Sequence, residues 1–113
     1  CRHGVVSMGH TVHGRVTVDG QTHVFGGESG YAEKDSGRSF PKSYLWLQCN
    51  DFTPPCALML SIAHIPFLGG AFTGSMTETI RESCDAHVHL RLTQAGRTIL
   101  VCESDRAAYE RRI

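Results

Sequence analysis

The stretch from His10 to Val18 reads HTVHGRVTV, and it constrains the fold more than any other part of the chain. Val12, Val16 and Val18 fall on one side of an extended segment, with Thr11, His13, Arg15 and Thr17 on the other. A helix cannot satisfy that period of two, whereas a half-buried strand does. Asp19-Gly20 follows as a tight-turn signal, Thr22 to Phe25 returns as the second strand, and Gly26-Gly27 breaks it. Period two continues downstream. Ser43 to Phe52, SYLWLQCNDF, sets Tyr44, Trp46, Gln48 and Asn50 on one face against Leu45, Leu47, Cys49 and Asp51 on the other. Either face of such a strand can be the inner wall of a barrel. Ala57 to Ile65 is apolar on both faces and reads as a buried strand, with His64 as a satisfied core histidine. Pro66 and Gly69-Gly70 form the next turn, and Ala71 to Ile80 reads as a further strand. In Ala86 to Thr93, Val88, Leu90 and Leu92 oppose His87, His89 and Arg91; Gln94-Ala95-Gly96 then turns the chain into Arg97 to Cys102. Ser104 to Arg112 carries weak helix signals with Ser104 as N-cap. Short strands separated by turns, in a chain with 12 Gly and 4 Pro, imply an all-β antiparallel sheet, a barrel or part of one.

At 113 residues the chain fits one domain, residues 1–113. Eleven basic and 11 acidic side chains give a net charge of zero, which argues against a nucleic-acid partner. The chain starts at Cys1 rather than Met, and no basic segment followed by an apolar stretch marks a signal peptide. Phe52 to Thr77 is uncharged and long enough for a membrane span, but Pro54, Pro55, Pro66, Gly69, Gly70 and Gly74 interrupt it. We therefore expect two strands and a loop there, no stable membrane span, and a cytoplasmic chain that is at most peripheral to a membrane. Cysteines at positions 1, 49, 56, 84 and 102 form no CxxC pair, which reads as reduced, mostly buried thiols. His87 and His89 share a strand face, and His10 and His13 lie close in sequence, yet neither pair has a third ligand at a metal-site spacing. No metal and no other cofactor is expected. No glycine-rich loop leads into a helix, and no nucleophile elbow is present.

Gly30 to Asn50 reads GYAEKDSGRSFPKSYLWLQCN. This segment resembles the signature of the tocopherol cyclase-like family, a G-Y-x-E-K-[DN]-W-G-x-S-F-P stretch followed by an aromatic strand ending W-x-Q-x-N. HGVVSMGH at His3 to His10, the hairpin centred on Asp19-Gly20, and IPFLGGAFTG at Ile65 to Gly74 resemble the same family in the same order, so the resemblance covers residues 3–74. Two departures stand out. Ser36 occupies the position of the family's tryptophan, so a ring that would wall a pocket is missing. From Ser75 onward the family pattern is not recognisable, and residues 75–113 are diverged or unmatched. By resemblance, members are longer and fold as two lipocalin-like antiparallel barrels, of which this chain would be a part.

The resemblance implies ring closure of a prenylated hydroquinone to a chromanol. An acid protonates the prenyl double bond, and the phenol oxygen adds to the tertiary carbocation. Such chemistry needs a proton donor and a cavity that excludes water. Glu33 and Asp35 are the candidate acids. On a strand they share a side, with Lys34 opposite, and paired carboxyls disfavour double ionisation. Trp46 is a candidate cation-stabilising wall. Tyr31, Tyr44, Gln48 and Asn50 complete the candidate substrate-binding set, the last three as hydrogen-bonding partners of the quinol oxygens. The competing reading makes Glu33, Lys34 and Asp35 a solvated turn paired with Arg38 or Lys42, and Trp46 a core residue. The alternative functions are a non-catalytic lipocalin-type binder of an apolar small molecule and an inactive fragment. Open barrel edges would allow a homodimer.

Overall fold

Asp19 and Gly20 take φ values of 50° and 77°, the positive pair that a type I′ hairpin turn requires. Around them β1 (Arg2–Val18) and β2 (Gln21–Ser36) pair antiparallel from Val18–Gln21 out to Arg2–Ser36. A computed structural model of the chain describes residues 2–38, 41–64 and 80–112. Gly26-Gly27 does not break β2 as the sequence suggested. The ladder slips there, between Val12 and His13, and the strand runs on. Gly27 has φ 131°, and the Glu28 carboxylate accepts the backbone N–H of Gly26 at 2.6 Å and of Gly27 at 3.1 Å. Backbone N–H groups of Glu28, Gly26 and Gly27 hold that carboxyl below its usual range. The glycines thus make a bulge, which increases local twist without ending the strand.

The remaining strands, β3 (Ser43–Cys49), β4 (Leu58–His64), β5 (Ile80–Gln94) and β6 (Arg97–Arg112), form a second sheet in the order β4-β3-β6-β5. All its neighbours are antiparallel. Ala95 and Gly96, φ 49° and 76°, turn β5 into β6. The weak helix expected over Ser104 to Arg112 is instead the second half of β6. Ala107 pairs with Ala86 of β5, and Ala108 to Arg112 pair with Gln48 to Tyr44 of β3. Strands on both sides supply hydrogen bonds that outweigh a marginal nine-residue helix.

The core lies on one face of this sheet. Cys49, Phe52, Cys102 and Ala107 are buried, and Cys56, Leu58, Ala86, Val88, Leu90 and Leu100 pack against them. The alternation of β5 is therefore as expected, with His87 and His89 facing outward. The expectation for β4 fails. Leu58 and Met59 are half-buried, but Leu60 to His64 are exposed, because among the described residues β4 is an edge strand beside β3 alone. His64 is accordingly not a core histidine. The turn expected at Pro66 and Gly69-Gly70 and most of the strand expected over Ala71 to Ile80 lie outside the described residues. Among the described residues there is no helix, and no ladder joins the hairpin to the four-stranded sheet. The antiparallel all-β class holds, while these strands form two open sheets and no closed barrel.

Candidate functional site

The two sheets meet through side chains at Glu33. Its Oε2 accepts a hydrogen bond from the Tyr31 hydroxyl at 2.6 Å and from Trp46 Nε1 at 3.1 Å. Tyr31 and Glu33 are two apart on β2 and so project to the same side, whereas Trp46 comes from β3. The even-numbered face of β3, opposite Cys49, is thus the one turned toward the hairpin. Burial pushes the Tyr31 phenol well above its usual range, helped by the bond to Glu33 and by the charges of Glu33 and Asp35. Tyr31 therefore remains a hydrogen-bond donor.

His3 joins this group from β1. Its Nδ1 lies 2.5 Å from Asp35 Oδ1, and its Nε2 lies 3.7 Å from Glu33 Oε2. Glu33 is the more enclosed acid, its side chain 21% exposed against 52% for Asp35. The two carboxyls share a side as the sequence implied, and they bracket an imidazole. The solvated-turn reading is corrected in part: Glu33, Lys34 and Asp35 lie in β2 and His3 pairs with the two carboxyls, while Lys34 and Asp35 are exposed as that reading had them. His3, Glu33 and Asp35 place one ligand atom each within 4.8 Å of one another, so they are the described residues arranged to take a metal ion. His87 and His89 are instead paired singly, with Asp105 at 2.6 Å and Glu103 at 2.7 Å.

Next to Tyr31 on β2, Gly30 leaves room for side chains of β1. A Cβ there would lie 2.3 Å from His10 Nε2 and 2.8 Å from Val12 Cγ2. Of the other sequence-predicted residues, Tyr44 donates its hydroxyl to Glu110 of β6. Burial, with that bond and the Glu110 charge, raises its phenol above the ordinary range. Tyr44 also lines a shallow cleft of about 350 Å³ with Leu45, Ile62, Ala63 and Arg112. That cleft does not reach Glu33, Asp35 or Trp46. Gln48 Nε2 and Asn50 Nδ2 are buried and, among the described residues, meet no hydrogen-bond partner. Tyr31, Glu33, Asp35 and Trp46 therefore converge, and Tyr44 stands apart on Glu110. His3 was not among the sequence candidates.

A family model described as tocopherol cyclase-like matches residues 3–64, more than half of the chain. The chain belongs to the tocopherol cyclase-like family. No curated protein and no solved structure matches it. The tocopherol cyclase-like match takes in β1 to β4 and with them His3, Tyr31, Glu33, Asp35 and Trp46. Among the described residues, no helix is long and apolar enough to cross a membrane.

Proposed function

We propose that the chain binds a prenylated aromatic lipid where β2 meets β3 and closes its ring to a chromanol. One observation carries this reading. In a chain of the tocopherol cyclase-like family, a half-buried carboxylate is met by a phenol and an indole from two different sheets. The reaction is an isomerisation. A proton adds to the prenyl double bond beside the ring, the phenol oxygen bonds to the tertiary cation, and the phenol proton leaves. Oε2 of Glu33 already accepts two hydrogen bonds, which hold the carboxylate in place to face a developing cation. Asp35 and His3, bonded to each other beside Glu33, are the remaining groups through which the protons would pass. Trp46 offers its ring face to the cation. Gln48 and Asn50 present unpaired amide donors that quinol oxygens would satisfy. A lipid of this kind would bring the chain to the cytoplasmic surface of a membrane. The second reading, a binder without turnover, is favoured by exposed Ser36 in place of the family's tryptophan.

The test is a titration with a short-tailed prenyl hydroquinone, following the emission of Trp46, the chain's single tryptophan. A saturable blue shift or quenching is expected, followed by chromanol in the extract. Glu33→Gln keeps the shape and should lower the rate of chromanol formation by about 10²- to 10⁴-fold, with the titration midpoint little changed. A saturable response with no chromanol under any condition supports the binder. An emission that never responds removes both readings.

A further inference from the structure

We propose that Cys56 and Cys102 are an oxidation site, which a small disulfide of the glutathione type closes into an internal disulfide tying the β3–β4 loop to β6. The two sulfurs lie 3.1 Å apart. Cys102 is 1% exposed in the centre of the core, and Cys56 is half-buried at its margin. A disulfide brings sulfurs to about 2.05 Å, so closure needs a movement of about 1 Å. The backbone around the pair is already aligned. Thr53, three residues before Cys56, bridges Glu103, the neighbour of Cys102, through hydrogen bonds of 3.2 and 3.4 Å. Cys84 is exposed and pairs with no other described thiol, so Cys49, near enough to act on the Cys56 thiol, is the competing partner.

The exchange balances without a further reactant. The Cys56 thiolate attacks one sulfur of the small disulfide and releases a thiolate, leaving a mixed disulfide. Cys102 loses its proton, attacks the Cys56 sulfur and releases the second small thiol. Two protein thiols are oxidised and one small disulfide is reduced to two thiols. Cys56 is the first to react because it is the more accessible of the two. Its thiol is pushed up to about 11 by burial, then by the hydrogen bond to Cys102 and the nearness of Cys102 and Cys49. The reaction at neutral pH is therefore slow, which suits a response to sustained oxidising conditions rather than a rapid signal. This site does not depend on the cyclase reading.

The whole chain is incubated with excess oxidised glutathione, quenched with acid and weighed intact. The expected product has lost two hydrogens at Cys56 and Cys102, in addition to any glutathione adduct on exposed Cys84. Trypsin should release residues 98–106 linked to residues 43–81, and a chymotryptic cut after Phe52 separates Cys49 from Cys56. The oxidised chain should melt at least about 5 °C higher, and dithiothreitol should reverse the shift. Cys56→Ser should fold and show no internal link. A stable glutathione adduct on Cys56, a Cys49–Cys102 link, or two lost hydrogens in Cys56→Ser would each overturn the assignment.

Discussion

Gln48 and Asn50 each bury an amide nitrogen that meets no partner among the described residues, a cost of about 1–3 kcal/mol for each unsatisfied group. On the proposed reading, the quinol oxygens offset that cost. Gln48→Met keeps the side-chain length and removes the amide. It should raise stability by about 1 kcal/mol, read as a higher urea midpoint at unchanged slope. It should also weaken the Trp46-detected binding of the prenyl hydroquinone by about tenfold. A lower urea midpoint would mean that the amide already has a partner. The spacing of SYLWLQCN made this face legible, but its orientation was not. Only the bond from Trp46 to Glu33 turns it toward the hairpin. His3 was illegible for a different reason. Counting outward from Asp19-Gly20 sets His3 opposite Ser36. The bulges along the ladder shift it by one residue to Asp35, and one residue changes the face.

Turns were the most legible elements, because both rest on local chemistry. Asp19-Gly20 and Ala95-Gly96 adopt the same pair of positive φ values. Aspartate tolerates that backbone, whereas Ala95 at φ 49° carries a Cβ against the following carbonyl. Ala95→Asn creates the preferred Asn-Gly pair and should stabilise the β5–β6 hairpin by up to about 1 kcal/mol. Thermal melting checks this, and an unchanged or lower midpoint would show that the turn does not limit hairpin stability. The misread elements depended on distant partners. Ser104 to Arg112 has a weak helical pattern of its own and becomes strand because β3 and β5 flank it. Leu58 to His64 has the composition of a central strand and lies at an edge. Composition reports what a strand would bury; it does not report whether a neighbour arrives.

Across the whole molecule the same gap appears as shape. The radius of gyration is 17.2 Å, where a compact chain of this length has about 13 Å. The class of the fold was legible from period two, but barrel closure depends on strand number and stagger that no single strand encodes. Open sheets leave edges, and the edges differ. β5 carries Arg81, Glu82, His87, His89 and Arg91, charges and imidazoles of the kind that discourage pairing. β4 reads LMLSIAH, with no Asp, Glu, Lys or Arg, and exposes Leu60 at 40% and Ile62 at 58%. Among the described residues only β3 lies beside it. A second copy pairing along β4 would extend the sheet and cover these side chains. Unfolding would then depend on concentration, since a dimer gains stability by mass action. The urea midpoint should rise over about a hundredfold increase in protein concentration. Ile62→Lys, which sets a charge on that edge, should abolish the rise while leaving the midpoint of the dilute chain within about 0.5 kcal/mol of its original stability. A midpoint that stays fixed in the unaltered chain would make it monomeric and would remove β4 as a self-pairing edge.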